Sequence, residues 1–323
     1  MLTNSPQIIA EIGFNHEGNM DLAEQMVRAA ARAGADAVKI QTFQAGDLVL
    51  PNSPHYEGLK AGEMDLEQHR RLSAAAAEEG VEFLSTPFSR RAVDLLEKVG
   101  VKRYKIASMD LTNLDLLAYV AQTRKPVIVS TGMATLAEIA ASLDFLNERQ
   151  AGEVCLLHCI SDYPSQAGEL NLAVIPFLKQ CFGLPVGYSD HFPGVKACLA
   201  AAMLGADLIE THFTLDRSKP GADHEHSADA QQLKELVEDI QLFRQMAGGH
   251  DFLQHRSDRV YASAYRRGLY TAADLDAGAV LERQNIISCR PENGLGPGHL
   301  QALLGRKLQK SVKAFEPLHW EDL

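Results

Sequence analysis

Eight short apolar runs, rich in β-branched residues, recur through the first two thirds of the chain with helical patterns between them. They are IIAEIG (8–13), DAVKIQT (36–42), EFLSTP (82–87), RYKIAS (103–108), PVIVSTG (126–132), VCLLHC (154–159), LPVGYSD (184–190) and DLIETHF (207–213). The intervening segments include LAEQMVRAAARAG, LEQHRRLSAAAAEEG, LAEIAASLDFLNERQ and VKACLAAAMLG, and many close on glycine, the usual helix stop. Strands that are apolar almost throughout are buried on both faces, as in a parallel sheet. Eight strand–helix units in about 250 residues is the count of a (β/α)8 TIM barrel. A doubly wound sheet would more often carry five to seven strands and a glycine-rich first turn, and neither G-x-G-x-x-G nor G-x-x-x-x-G-K-[ST] is present. The expected fold is therefore α/β, with the barrel spanning residues 1–249.

The rhythm breaks after residue 249. A polar stretch, GGHDFLQHRSDRVYASAY, predicts a linker over 250–265. From 266 to 323 come short strand-like pieces, RRGLYTAADL, GAVLERQNI and RKLQKSVKAF, separated by turns that include RPENGLGPGHL (290–300). A β-rich module of this size is marginal alone, so it is expected to pack on a barrel. Within the barrel, the gap at 43–64 exceeds the usual loop length and points to an active-site lid.

Charge and cysteine usage narrow the function classes. Thirty-one basic against forty-two acidic side chains give a net charge of −11, which argues against nucleic acid or an anionic membrane as partner. An anionic substrate must then be held by local cations. Cys155, Cys159, Cys181, Cys198 and Cys289 form no C-x-x-C pair and read as small buried hydrophobes in a reducing compartment. The N-terminal stretch has no basic region followed by an apolar core, and no apolar run approaches the roughly 20 residues that span a bilayer. The expected location is the cytoplasm.

In such barrels the chemistry is built at the C-terminal ends of the strands. Those ends carry Glu11 with Asn15 and His16 beyond, Lys39 and Gln41, Ser85 and Thr86, and Lys105 with Ser108 and Asp110. They continue with Ser130 and Thr131, then His158, Ser161 and Tyr163, then Ser189, Asp190 and His191, and finally His212. Any one of these is commonly a hydrogen-bonded rim residue; eight strands ending this way point to a site. His191 and His212 terminate neighbouring strands. Spacing alone leaves two readings of them equal, a shared divalent ion or a structural pair satisfied by carboxylates. Asp190 and Glu210 are natural partners for the imidazoles, and Glu210 shares a strand face with His212. Asp223, His224 and His226 in GADHEHS offer a second metal motif, although loop histidines are usually solvated. Lys39 and Lys105 lie inside strand-like runs, where a lone ammonium is costly and wants an anion. With Ser85, Ser108 and Ser130 as hydroxyl donors, a small phosphorylated carboxylate fits. Either a lysine forms a Schiff base, or both stay charged and clamp the anion while a metal activates a carbonyl.

Nine segments, AEIGFNHEGN, DAVKIQTF, FLSTPFS, YKIAS, STGMATLAEI, LLHCISDYPS, GYSDH, IETHFTLD and GADHEHS, occur in the order in which they occur in the barrel of the sialic acid synthases. The chain resembles these phosphoenolpyruvate-dependent nonulosonic acid synthases over nearly its whole length. Residues 266–323, with RPENGLGP, are similar to their C-terminal antifreeze-like domain (the SAF, or β-clip, domain). The resemblance implies condensation of phosphoenolpyruvate with the aldehyde of an N-acetylated hexose such as N-acetylmannosamine, giving a nine-carbon 2-keto acid with C–O cleavage of the phosphate. It implies Mn2+ or Mg2+ bound by His191 and His212. Lys39, Thr86, Lys105, Ser108, Ser130, Ser161 and Ser189 would surround phosphoenolpyruvate, and Glu11 would position water or assist ring opening. Gln41, Asp110, Tyr163 and Asp223 would contact the amino sugar. Arg290 would reach its N-acetyl group across a domain-swapped homodimer.

Three departures bear on substrate. Position 161 is serine where some members carry asparagine, position 110 is aspartate where many carry glutamate, and YEGLKAGEMDLEQH in the lid resembles synthases of modified sialic acids equally well. N-acetylneuraminate synthase leads, followed by legionaminate or pseudaminate synthase using a 6-deoxy 2,4-diacetamido hexose. More remote readings are a Schiff-base aldolase and a sugar-binding protein with an inactive barrel.

Overall fold

The computed structural model describes residues 5–221, 223–248 and 257–323. These divide into two compact units, Met1–Gly248 and Gly249–Leu323. Residues 249–256, which include the first part of the expected linker, lie outside the described residues.

In the first unit eight parallel strands alternate with helices: β1 (Gln7–Gly13), α1 (Met20–Arg32), β2 (Ala37–Thr42), α2 (Ala45–Leu48), α3 (Tyr56–Ala61), α4 (Leu66–Glu78), β3 (Glu82–Pro87), α5 (Arg90–Val99), β4 (Tyr104–Ile106), α6 (Leu114–Ala121), β5 (Val127–Ser130), α7 (Leu136–Glu148), β6 (Val154–Cys159), α8 (Val174–Phe182), β7 (Val186–Asp190), α9 (Lys196–Met203), β8 (Leu208–His212) and α10 (Ala230–Ala247). Each predicted strand run overlaps one observed strand. Local chemistry sets the helix limits. Reciprocal capping boxes join Asp65 to Gln68, Thr135 to Glu138 and Asp229 to Gln232 at the starts of α4, α7 and α10. Gly100 and Gly183 take left-handed φ at the ends of α5 and α8. The expected lid segment forms the two short helices α2 and α3. No described helix is long and apolar enough to cross a membrane.

The pleat divides the strand side chains into two sets. Ile8, Ala10, Ile12, Val38, Ile40, Phe83, Tyr104, Ile106, Val129, Tyr188 and Ile209 pack outward into the continuous core shared with the helices. Ile9, Ala37, Leu84, Ile128, Leu157 and Leu208 form a separate apolar cluster inside the barrel. Gly187 makes this inner cluster possible, because a Cβ there would lie 2.2 Å from the Leu208 carbonyl oxygen and 2.7 Å from Leu157 Cδ2. Two residues further along, the inward positions become polar (Glu11, Lys39, Thr86, Ser130 and Glu210), so the inner cluster is the floor of a site. The ladder runs β3-β2-β1-β8-β7-β6-β5-β4, which leaves β3 and β4 side by side at the closure of the barrel. Among the described residues no backbone ladder joins those two.

The second unit is compact and built on a small antiparallel sheet, as expected of a β-rich module. An antiparallel pair, β9 (Gly268–Thr271) and β10 (Ile286–Cys289), is supplemented by single bridges between Leu275 and Val312 and between Val280 and Lys307. Leu269, Leu281, Ile286, Leu295, Leu303, Leu308, Val312 and Leu318 make its own core. The piece expected as a third strand, RKLQKSVKAF, supplies bridges rather than a strand.

Candidate active site

Strand register decides which polar groups meet. Glu11 lies opposite both Lys39 of β2 and His212 of β8, Gln41 opposite Thr86, and Ser189 opposite Glu210. An irregularity between Glu11 and Gly13 shifts the β1–β2 register beside these groups, so that Gly13 pairs with Ile40. Above the apolar floor they open on a cavity of about 480 Å3, within the usual range for small-molecule sites. Lys39, Gln41, Thr86, Lys105, Ser108, Ser130, Ser161, Tyr163, Ser189, His191, His212 and Asp223 all line it, so twelve of the residues singled out from sequence meet in one place.

Two lysines and two carboxylates occupy its base. Lys39 Nζ lies 2.8 Å from Glu11 Oε2 and 3.0 Å from Glu210 Oε2, while Lys105 Nζ lies 3.3 Å from Glu210 Oε1. Glu210 Oε1 also accepts the Ser189 hydroxyl at 2.9 Å, and Lys39 donates to Thr86 Oγ1 at 3.3 Å. All four charged side chains are at least 96% buried. Burial opposes every one of these charges, and the neighbours decide which survive. Burial would raise Glu210, but Lys105 and Lys39 outweigh it and hold this carboxyl well below its usual range. Burial would depress Lys39, yet Glu11 and Glu210 lift it above the ordinary lysine value. Among the described residues Lys105 pairs with Glu210 alone, and burial wins, lowering it. Glu11 is left with the least compensation: burial, with Glu210 nearby, raises it to about 7 against the pull of Lys39.

Hydroxyl and thiol groups line the cavity beside Lys105. Ser108 Oγ accepts the Gly132 backbone N–H at 3.1 Å and lies 3.0 Å from Cys159 Sγ. A Cβ at Gly132 would lie 2.4 Å from Ser161 Oγ and 2.8 Å from Ser108 Oγ, so only glycine leaves this recess open. Ser130 Oγ is buried without a hydrogen-bond partner.

On the opposite side are the imidazoles. His191 Nδ1 donates to the Ile160 carbonyl at 2.7 Å, which leaves its Nε2 with a free lone pair. Its ring centre is 5.3 Å from that of His212 and 4.1 Å from that of Tyr163. Burial, then the mutual proximity of the imidazoles, lowers both His191 and His212 to about 3, so both are neutral at neutral pH. His212, Asp223 and His226 form a group whose ligand atoms all lie within 4.8 Å of one another.

Several expectations need correction. Asp190 follows the inward Ser189 and therefore faces the helix layer. It accepts from Tyr188 Oη at 2.9 Å, from the Phe192 N–H at 2.9 Å and from Cys198 Sγ at 3.0 Å. It belongs to the scaffold and does not reach the cavity. Ser85 is turned the same way, bonded to Thr42 and the Ile40 carbonyl, and Thr42 bonds in turn to the buried His69. His158 bonds the Leu170 carbonyl. Asp110 sits in the turn after β4, accepting from Asn113 at 2.9 Å, and is outside the cavity lining. Glu11 lies just beneath the lining, reaching it through Lys39. Arg290 lies in the second unit, with its guanidinium 5.6 Å over the Tyr265 ring. His224 and His226 are buried, not solvated as loop histidines usually are. Glu210, expected as a partner for the imidazoles, instead has the two lysines as its main contacts.

Charge buried at this density, held on adjoining strand ends above an apolar floor, is the mark of a barrel enzyme. Residues 26–251 match the family model described as the NeuB family, and residues 266–323 match that of the SAF domain. The chain belongs to the NeuB family and is a transferase of that sialic acid synthase-like family. It is 37% identical to the N,N'-diacetyllegionaminic acid synthase of Legionella pneumophila, covering 98% of this chain and 94% of that one. It is 34% identical to human N-acetylneuraminate-9-phosphate synthase, covering 95% and 89%. The crystal structure of N-acetylneuraminic acid synthetase from Leptospira borgpetersenii superposes with a TM-score of 0.76 at 33% identity, over 80% of this chain and 90% of that one.

Proposed function

We propose that the protein condenses phosphoenolpyruvate with the open-chain aldehyde of an N-acylated amino sugar, giving a nine-carbon 2-keto acid and phosphate. The observation that carries this reading is the Lys39–Glu210–Lys105 bridge beside the hydroxyl recess. It holds two cations at the base of a cavity in a protein of net charge −11. Lys39, Lys105, Thr86, Ser108, Ser130, Ser161 and Ser189 take the phosphate and carboxylate, whose charge satisfies groups that have only Glu210 and Glu11 to balance them. C3 of the enol forms the new bond to the aldehyde carbon, and the aldehyde oxygen becomes a hydroxyl. Water adds at C2, and the C2–O bond to phosphate breaks to leave the ketone. Glu11, poised at about 7, is suited to take the proton of that water.

The donor set fits a divalent ion. His191 presents Nε2 with its other nitrogen bonded to a carbonyl, and His212 Nδ1 is buried without a hydrogen-bond partner. His191 and His212 would hold Mn2+ or Mg2+, which supplies Lewis-acid polarisation of the aldehyde oxygen when bound. Gln41, Tyr163 and Asp223 line the remaining wall and are assigned to the sugar. Asp110 would reach it only by a rotation out of its turn. Arg290 is assigned to the N-acyl group across a domain-swapped homodimer, as the family resemblance implies. A cytoplasmic location suits this reaction, because phosphoenolpyruvate is made there.

Within this class, the legionaminic acid synthase of Legionella stands at 37% identity against 34% for the human enzyme. That favours a 6-deoxy 2,4-diacetamido hexose over the N-acetylmannosamine expected from sequence. The test is phosphate release from phosphoenolpyruvate with Mn2+ and a panel of both sugars, with and without EDTA. Sugar-dependent, EDTA-sensitive release is expected. Release from neither sugar would refute the reading. A borohydride-trapped imine would favour the aldolase, which requires an unprotonated lysine; Lys39 is held ionised, and Lys105, which burial lowers, is the lysine such trapping would label.

A further inference from the structure

Around the end of β8, three side chains face one another across a gap that no hydrogen bond spans. His212 Nδ1 lies 3.4 Å from Asp223 Oδ2, and His226 Nε2 lies 3.8 Å from Asp223 Oδ1. Both nitrogens are buried without a hydrogen-bond partner, on side chains that are each more than nine-tenths buried. Buried polar atoms ordinarily have partners, and these separations exceed hydrogen-bond lengths. They suit a shared ion. Two atoms each about 2.1 Å from one ion lie roughly 3 to 3.5 Å apart for right-angle to tetrahedral geometry; the His212–Asp223 separation meets this, and the 3.8 Å between His226 and Asp223 must close by a few tenths of an ångström on loading.

The group is also rigidly supported. Asn15, fully buried after β1, accepts the Asp223 N–H at 2.9 Å and donates to the Phe213 carbonyl and Ser227 Oγ, both at 2.9 Å. Ser227 Oγ in turn donates to the Asp223 carbonyl at 2.6 Å, and the Ala228 N–H bonds the His212 carbonyl at 2.7 Å. The turn holding Asp223 and His226 is thus tied to the strand holding His212 and to a loop some two hundred residues distant. Such support is what a ligand set needs to be held in position.

We propose that Asp223 and His226 are direct protein ligands of the divalent metal and share it with His212. This rests on the metal-dependent reading above and extends it, because that reading assigns Asp223 to the sugar and leaves His226 without a role. Under the extension, Asp223 acts on the sugar only through the ion. A set of imidazoles with one carboxylate favours Mn2+, Co2+ or Zn2+ over the harder Mg2+.

The test is Mn2+ binding to metal-stripped, substrate-free full-length protein by calorimetry, for wild type, His226→Gln, His226→Ala, Asp223→Asn and His212→Ala, with circular dichroism to confirm folding. The two His226 variants guard against misfolding of either one. Proton NMR of the Co2+-loaded protein then counts hyperfine-shifted imidazole N–H signals, one for each coordinated histidine with an observable ring proton. We expect one Mn2+ per wild-type chain, affinity at least about 100-fold weaker in both His226 variants and in Asp223→Asn, and one imidazole signal fewer in His226→Gln. A supporting role through Asp223 would leave that signal count unchanged. If the His226 variants bind Mn2+ within threefold of wild type and keep the full count while His212→Ala binds none, the extension is overturned and the metal-dependent reading stands. If wild type binds no Mn2+, the metal-dependent reading itself falls and takes the extension with it.

Discussion

Replacing Glu11 by glutamine should change how stability varies with pH, by an amount that follows from its surroundings. Burial, with Glu210 nearby, raises this carboxyl from 4.5 to about 7, a difference of about 3 kcal/mol between its two protonation states. The folded protein therefore binds this proton more tightly than the unfolded chain does. The resulting stability is present in full below pH 4.5 and is lost as pH rises through 7. Other buried groups titrate in the same interval. Asp190, raised to about 6 by burial, has the same sign. His191 and His212, lowered to about 3, have the opposite one: their contribution is present above about 6.5 and is lost as pH falls. Only the difference between wild type and Glu11→Gln isolates the one carboxyl, since these terms cancel in it. Glutamine stays neutral, so the variant should gain on wild type by roughly 2.5 kcal/mol between pH 5 and pH 8. At about 2 °C per kcal/mol for a unit of this size, the gap in melting temperature should widen by roughly 5 °C. Scanning calorimetry of both proteins at half-unit pH steps, without metal or substrate, reads this directly. A gap that is constant with pH, or that narrows as pH rises, would refute the assignment of Glu11 as the least compensated charge in the cluster.

Alanine at His191 or His212 should abolish turnover while circular dichroism stays unchanged; normal activity in both variants would remove the metal role. Lys105→Met deletes the cation that burial already disfavours and should raise the KM for phosphoenolpyruvate at least about 30-fold, the cost of losing one partner of a buried charge pair. An unchanged KM would take Lys105 out of the anion site. Gly132→Ala would place a methyl group 2.4 Å from Ser161 Oγ, and it should cost about 1–3 kcal/mol of stability as well as phosphoenolpyruvate affinity. A wild-type melting temperature and KM would mean that the recess can widen. Arg290→Ala should raise the KM for the amino sugar more than that for phosphoenolpyruvate; equal changes would make Arg290 structural.

The barrel was legible because the strands are apolar on both faces, and the site because inward positions turn polar at the same height on successive strands. The residues misplaced from sequence fail a parity rule that the same strands obey. Ser189 is inward on β7, so Tyr188 and Asp190 must face outward; Thr86 is inward on β3, so Ser85 is not. Counting Ser189, Asp190 and His191 as one cluster ignored that alternation, and only His191, beyond the strand end, escapes it. Glu210 obeys the rule, lying two residues before His212, and its pairing with lysines on β2 and β4 follows from inward placement. His226 had no comparable signal. Its position depends on Asn15 holding a turn more than two hundred residues away, and nothing within seven residues of GADHEHS encodes that contact.

The gap in the ladder between β3 and β4 has a consequence for how the enzyme breathes. These two strands carry Thr86 and Lys105, which line the same cavity from either side of the seam. Elsewhere around the barrel, neighbouring strands are clasped by backbone hydrogen bonds; here side chains and any bound anion must bridge them. Amide exchange should therefore be fastest along this seam in the free protein and should slow there most when phosphoenolpyruvate binds. The substrate would then act as the missing rung, and the site would be complete only when it is in use.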